Sequence, residues 1–197
     1  MSVEVLKEKF EQEYENIERK IKKPNILIIG ATGVGKSSLV NLVFGEDIAK
    51  TGIGKQVTKH MQSYISSKVP VVLFDTVGYE VNCDEQRDIL NGVIEEAIAL
   101  KKVPEEKQIH LVWYCIDASR HRILDIDKDI IAKLFKSAIP ISLIFTKCDI
   151  ITKQELKDLK KEVCGILPLE NIFRISINDV SGMDYIDLES LCDWAGE

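Results

Sequence analysis

Apolar residues first recur along the chain at a helical period. Leu6, Phe10, Tyr14, Ile17 and Ile21 are spaced by four, four, three and four positions, with Glu and Lys between them. This predicts one amphipathic helix over residues 3–22, closed by Pro24. The pattern then changes. Ile26-Leu27-Ile28-Ile29 is a continuous, mostly β-branched run that reads as a buried strand, and Ser38–Phe44 follows a glycine-rich turn as a helix. Gly45 to Lys59, with Gly52 and Gly54, reads as a loop. Strands are predicted at 60–66, Val69–Phe74, Ile109–Ile116, Pro140–Phe145 and Ile172–Ile175. Helices are predicted at Asp84–Leu100 (Ile89, Val93, Ala97 and Leu100 on one side), Asp127–Ser137, Lys153–Cys164 and Asp184–Ala195. Strands alternating with helices at this spacing require right-handed crossovers and a parallel sheet covered on both faces, an α/β class. The expected organisation is an N-terminal helix over residues 1–23 packed on one domain at 24–197.

Composition narrows this only a little. A chain of 197 residues with 45% hydrophobic and 29% charged residues suits a single globular domain. No apolar run is long enough to span a bilayer, and the charged N-terminus is unlike a signal-peptide core. The formal charge of −6 argues against a general nucleic-acid surface, and no nucleic-acid domain is evident. Acidic residues within the N-terminal stripe argue against membrane association, because anionic lipid would repel them. Five cysteines without a C-x-x-C pair imply a reducing, cytoplasmic setting, with Cys115 and Cys164 expected to be buried.

The chemistry is concentrated where predicted strands end. Gly30-Ala31-Thr32-Gly33-Val34-Gly35-Lys36-Ser37 fits G-x-x-x-x-G-K-[ST] between a strand and a helix, with Ser38 next. Its glycines let backbone N–H groups form an anion nest at a helix N-terminus. Lys36 is placed to reach the outer phosphates of a nucleotide, and the Ser37 hydroxyl to hold Mg²⁺. In open α/β sheets ligands bind beyond the carboxyl ends of the strands, so the other strand ends matter most. Asp75, after Val71-Val72-Leu73-Phe74, can hold the metal, and Gly78 would let its N–H approach a γ-phosphate. Asp149, in Thr146-Lys147-Cys148-Asp149, can accept two parallel hydrogen bonds from guanine, which adenine does not offer. The stem of Lys147 would pack over the base plane while its ammonium reaches the ribose side. Ser176, Ile177 and Asn178 would close the other edge of the base. Thr58, with Thr51 as its competitor, is the candidate for a mobile segment that completes the Mg²⁺ shell and senses the γ-phosphate.

Together these motifs resemble the translation-factor-related P-loop GTPases, and within them the Era-like and septin/immune-associated branches. The resemblance covers residues 24 to 195. It implies a three-layer P-loop GTPase fold with a mostly parallel six-stranded sheet. It also implies GTP and GDP binding with Mg²⁺, a GTP-dependent switch and slow hydrolysis. Lys36, Thr58 and Gly78 are then the catalytic candidates, and Ser37, Thr58 and Asp75 the metal ligands. Three positions depart from the pattern. Tyr79 stands where Ras-like members carry the glutamine that orients water. Gly33 replaces the asparagine of potassium-activated relatives, and Thr146 replaces the usual asparagine before Lys147. No tract after residue 195 accommodates the RNA-binding domain of Era, so a lone G domain or a piece of a longer protein is expected.

Three functions follow. The first is a GTP-hydrolysing switch accelerated by an activating protein or a homodimer across the nucleotide face. In it, Arg120-His121-Arg122 either offers an arginine in trans or binds the Asp125, Asp127 and Asp129 cluster. His60, Asn82, Asp84 and Glu85, in the two switch segments, are the polar candidates for the water's partner. The second is a non-catalytic GTP-regulated scaffold that recruits an effector. The third, an ATP-using kinase or ATPase, keeps only the phosphate loop.

Overall fold

The computed structural model describes residues 23–45, 55–58, 61–66, 69–76, 78, 84–166, 171–176, 187 and 190–191. The predicted helix over 3–22 and most of the one over 184–195 lie outside them. Within the latter, the Leu191 N–H donates to the Asp187 carbonyl at 2.7 Å.

The run expected to be most deeply buried forms the central strand, β1 (Asn25–Ile29), with Ile26 to Ile29 at 0% exposure. It lies parallel to β4 (Val72–Thr76) on one side and β5 (Leu111–Asp117) on the other. Beyond β5 come β6 (Ile141–Thr146) and β7 (Ile172–Arg174), all parallel. On the other flank, β3 (Met61–Ile65) and β2 (Lys55–Thr58) add antiparallel, giving the order β2-β3-β4-β1-β5-β6-β7.

The mostly parallel sheet with helices on both faces is therefore present, with seven strands rather than six. The addition is β2, within the stretch read as a loop. Lys55-Gln56-Val57-Thr58 is short and mostly polar, so it carries no alternation signal; pairing with β3 gives it its strand geometry. A register shift between Gln56 and Thr58 marks a bulge.

Alternate residues of the central strands feed two cores. Leu27, Ile29, Val112, Tyr114, Leu143 and Phe145 face a layer that includes α2 (Asp84–Ala99), α3 (Asp125–Lys136) and α4 (Lys153–Ile166). Ile26, Ile28, Trp113 and Ile144 face α1 (Lys36–Phe44) and Leu191. The buried side of α2 runs through Leu90, Val93, Ile94 and Ala97; Val93 and Ala97 of the predicted stripe are thus buried, and Ile89 and Leu100 at its ends are half-buried. Cys164 is exposed, against expectation, because α4 buries Leu159 and Val163 instead. No helix among the described residues is long and apolar enough to cross a membrane.

One buried polar contact sets where α3 begins. The Tyr114 hydroxyl donates to Asp127 Oδ1 at 2.8 Å, and the Leu124 N–H donates to Asp127 Oδ2 at 3.0 Å. The carboxylate thus satisfies an N–H of the first turn while being tied to β5. Tyr114→Phe removes one hydrogen bond to a charged acceptor. It should lower unfolding stability by about 1–3 kcal/mol, read as a lower urea midpoint at constant m-value, with nucleotide affinity unchanged.

Candidate functional site

At the end of β1 the chain turns at Gly30, where a Cβ would lie 2.6 Å from the Cys115 carbonyl oxygen of β5. No other residue fits there without moving a central strand. Gly33 (φ +73°) and Gly35 (φ +105°) adopt the left-handed region, and Gly35 caps the N-terminus of α1. Lys36 arches back over its own loop, its Nζ donating to the carbonyls of Gly30 (2.9 Å) and Ala31 (3.1 Å). It is only 7% exposed. Burial pushes its pKa down, opposed by the Asp75 carboxylate.

Asp75 reaches this point because β4 pairs with β1 in the register Ile28 to Asp75. Its Oδ2 accepts from the Ser37 hydroxyl at 3.3 Å, while its Oδ1 is buried and accepts no hydrogen bond from the described residues. Burial raises its pKa to about 6, against the pull of Lys36 and Ser37. An under-bonded carboxylate oxygen beside a hydroxyl is a hard-oxygen donor set that fits Mg²⁺. Among the described residues no group of three or more His, Cys, Asp or Glu could hold a metal by itself. Such an ion would therefore take its remaining ligands from water and phosphate, as Mg²⁺ usually does.

Gly78 closes over the same loop. A Cβ there would lie 2.7 Å from Thr32 Cα and 2.8 Å from both Thr32 N and Lys36 Nζ. Thr58 ends β2, opposite Met61, which itself pairs with Thr76. Its backbone is thus at the same end of the sheet as Asp75, two strands further out; its side chain lies outside the described residues.

The second half of the rim is tied to the first by Thr146. Its buried hydroxyl lies 2.6 Å from the Val34 carbonyl of the phosphate loop and 3.1 Å from the Ile116 carbonyl of β5. A threonine in the asparagine position thus still reaches the loop. Lys147 follows with φ +55°, a left-handed backbone uncommon for a side-chain-bearing residue. Asp149 is half-buried in the 3-10 turn Cys148–Ile150. The Cys148 N–H donates to the Ile175 carbonyl at 3.4 Å, bringing the turn beside buried Ser176. Ile177 and Asn178 lie outside the described residues.

Sequence reasoning passed over Asp117. This residue ends β5, pairs in register with Thr146, and accepts from Lys147 Nζ at 2.7 Å. Its Oδ1 accepts from Ser119 N at 3.0 Å and Ser119 Oγ at 2.5 Å. Burial alone would raise its pKa, but the hydrogen bonds from Lys147 and Ser119 hold it below the usual carboxylate value. The available signal was an Asp ending a strand two residues before a Ser, a capping pattern. Arg120 lies 3.8 Å from the same carboxylate, so it does not pair with the acidic cluster. There Asp125 meets Lys128, and Asp127 meets Tyr114. Arg122 is exposed.

Comparison with known proteins agrees with this geometry. Residues 25–147 match the family described as 50S ribosome-binding GTPase. GTPase Era of Ruminiclostridium cellulolyticum is 27% identical over 168 residues, 84% of this chain and 53% of that protein. Human septin-14 is 24% identical over 165 residues, 73% of this chain and 38% of that protein. The chain thus spans about half or less of the length of these relatives. Aquifex aeolicus Era bound to GDP and AlF4⁻ superposes with a TM-score of 0.61 at 19% identity, covering 89% of this chain and 56% of that one. The chain belongs to this family of P-loop GTPases.

Thr146→Val keeps the shape but withdraws the only proton serving the Val34 and Ile116 carbonyls through this side chain. The loss should be about 1–2 kcal/mol, a fall in melting temperature of roughly 2–8 °C for a domain of this size, measured calorimetrically without nucleotide.

Proposed function

We propose that the protein is a guanine-nucleotide-binding switch that hydrolyses GTP to GDP and phosphate in a Mg²⁺-dependent reaction, slowly by itself. The observation that carries this reading is a desolvated Lys36 ammonium in a glycine-built loop, within electrostatic reach of an under-bonded Asp75 carboxylate at the end of β4. Such a site takes a polyphosphate and a divalent cation together. Gly30 to Ser38 would hold the phosphates through backbone N–H groups and Lys36. Ser37 and Asp75 would hold Mg²⁺, with Thr58 completing the shell, and the ion supplies charge neutralisation on the phosphate oxygens. Asp149 would read guanine, Lys147 would pack along the base, and Ser176, Ile177 and Asn178 would close its far edge.

Hydrolysis needs water in line with the transferring phosphoryl and charge stabilisation as it leaves. Lys36 is already positioned within its own loop, so little reorganisation is needed at that step. Gly78 lies against Lys36 and Thr32, where its N–H can meet the outermost phosphate. Loss of that phosphate would remove the contact and release the segment, which makes a switch. Tyr79 supplies no carboxamide to orient water, so the rate alone is expected to be low. An activating protein or a second copy across the nucleotide face would raise it. The residues preceding Pro24 are read as a helix packed on the domain. The absence of a glutamine after Gly78 also favours a second reading, in which the GTP-loaded state assembles an effector without turnover.

Single-turnover release of phosphate from GTP separates these readings. Release should exceed the no-protein rate, stop when Mg²⁺ is chelated, and rise faster than linearly with protein concentration if two copies cooperate. Gly78→Ala should slow it at least roughly tenfold while GTP affinity stays within about threefold, because its Cβ displaces the segment rather than the loop. No release at high protein concentration contradicts the hydrolytic reading and leaves the scaffold.

A further inference from the structure

Lys147 is fixed before any base arrives. Its Nζ lies 2.7 Å from Asp117 Oδ2, and this carboxylate is itself immobilised, only 6% exposed and braced by the Ser119 N–H and hydroxyl. The two residues sit on neighbouring strands in fixed register, Asp117 opposite Thr146, so the ion pair spans the β5–β6 rim. Lys147 is 36% exposed, with a left-handed backbone. A free lysine there would sample many rotamers, and a nucleotide would have to order it.

We propose that Asp117 is a positioning residue for nucleotide residence: by clamping the Lys147 ammonium, it presets the lysine stem as the wall against which the base packs. The idea rests on the reading of this rim as a guanine-nucleotide site. Removing the clamp returns the ordering of a rotamer-rich side chain to the binding step, a loss of roughly three- to tenfold in affinity. The loss falls on dissociation, since the clamp does not touch the phosphates or the groups around them. Arg120, at 3.8 Å and 37% exposed, contributes little to the same carboxylate.

The test is the dissociation rate of a fluorescent GDP analogue from the full chain, measured for Asp117→Asn, Lys147→Met, both together, and Arg120→Ala. Asp117→Asn should speed release roughly three- to tenfold and leave single-turnover phosphate release at saturating GTP unchanged. In the Lys147→Met background it should add nothing, because the clamp then has nothing to hold. Arg120→Ala should stay within about twofold of the parent. If Asp117→Asn does not fold, Asp117→Glu takes its place, and the same non-additivity decides. Parent-like release in the Asp117 variant, factors that multiply in the double variant, or an equal loss in Arg120→Ala would each overturn the clamp. Failure of the parent chain to bind the analogue would overturn the site reading along with it, and is distinguishable by appearing before any substitution.

Discussion

At the carboxyl ends of the central strands the Lys36 ammonium is buried, and one oxygen of the half-buried Asp75 carboxylate is withdrawn from water without a hydrogen-bond partner among the described residues. Lys36 spends its protons on the carbonyls of Gly30 and Ala31, while one oxygen of Asp75 accepts none. Withdrawing such groups from water costs several kcal/mol each when their partners are incomplete. The fold accepts this cost in one place and arranges everything else to keep it there. The 0% exposed run of β1 fixes the start of the loop, and the β1–β4 register fixes Asp75. Gly30 lets the turn lie against β5, where any Cβ would collide with Cys115. A buried ammonium near a carboxylate oxygen that lacks a partner suits an anion and a cation arriving together, which is the chemistry of a magnesium–polyphosphate.

The rest of the rim depends on that loop staying in position. Thr146 links the loop to β6 and β5 with one hydroxyl, and the residue after it carries the lysine held by Asp117. The loop after β1 and the Asp117–Lys147 ion pair are thus joined through two adjacent residues, Thr146 and Lys147. Gly78 meets the loop from the other side with no room for a side chain, so its contact is sensitive to what occupies the space beside Lys36.

How far the sequence alone reveals this varies with the kind of signal. Continuous apolar runs and helical stripes specify the central strands and the main helices, because burial there follows directly from pattern. Phosphate-loop residues are legible because their glycines and lysine satisfy a backbone requirement that few sequences meet. Strand β2 is not legible, since its four mostly polar residues carry no alternation and acquire strand geometry only by pairing with β3. Asp117 was missed for a related reason. Its role comes from register: it stands opposite Thr146, beside a lysine thirty residues away in sequence. Cys164 shows the opposite failure, an apolar-looking residue whose helix buries its neighbours instead.

In the proposed function this rim takes a guanine nucleotide through a carboxylate at one end and a metal-assisted phosphate loop at the other. The most direct measurement is calorimetric titration of nucleotide-free protein with GTP and with ATP, each in Mg²⁺. GTP should bind at least roughly a hundredfold tighter than ATP, the discrimination expected of a site whose hydrogen-bonding group is left unpaired by the wrong base. Equal affinity for the two nucleotides would contradict it.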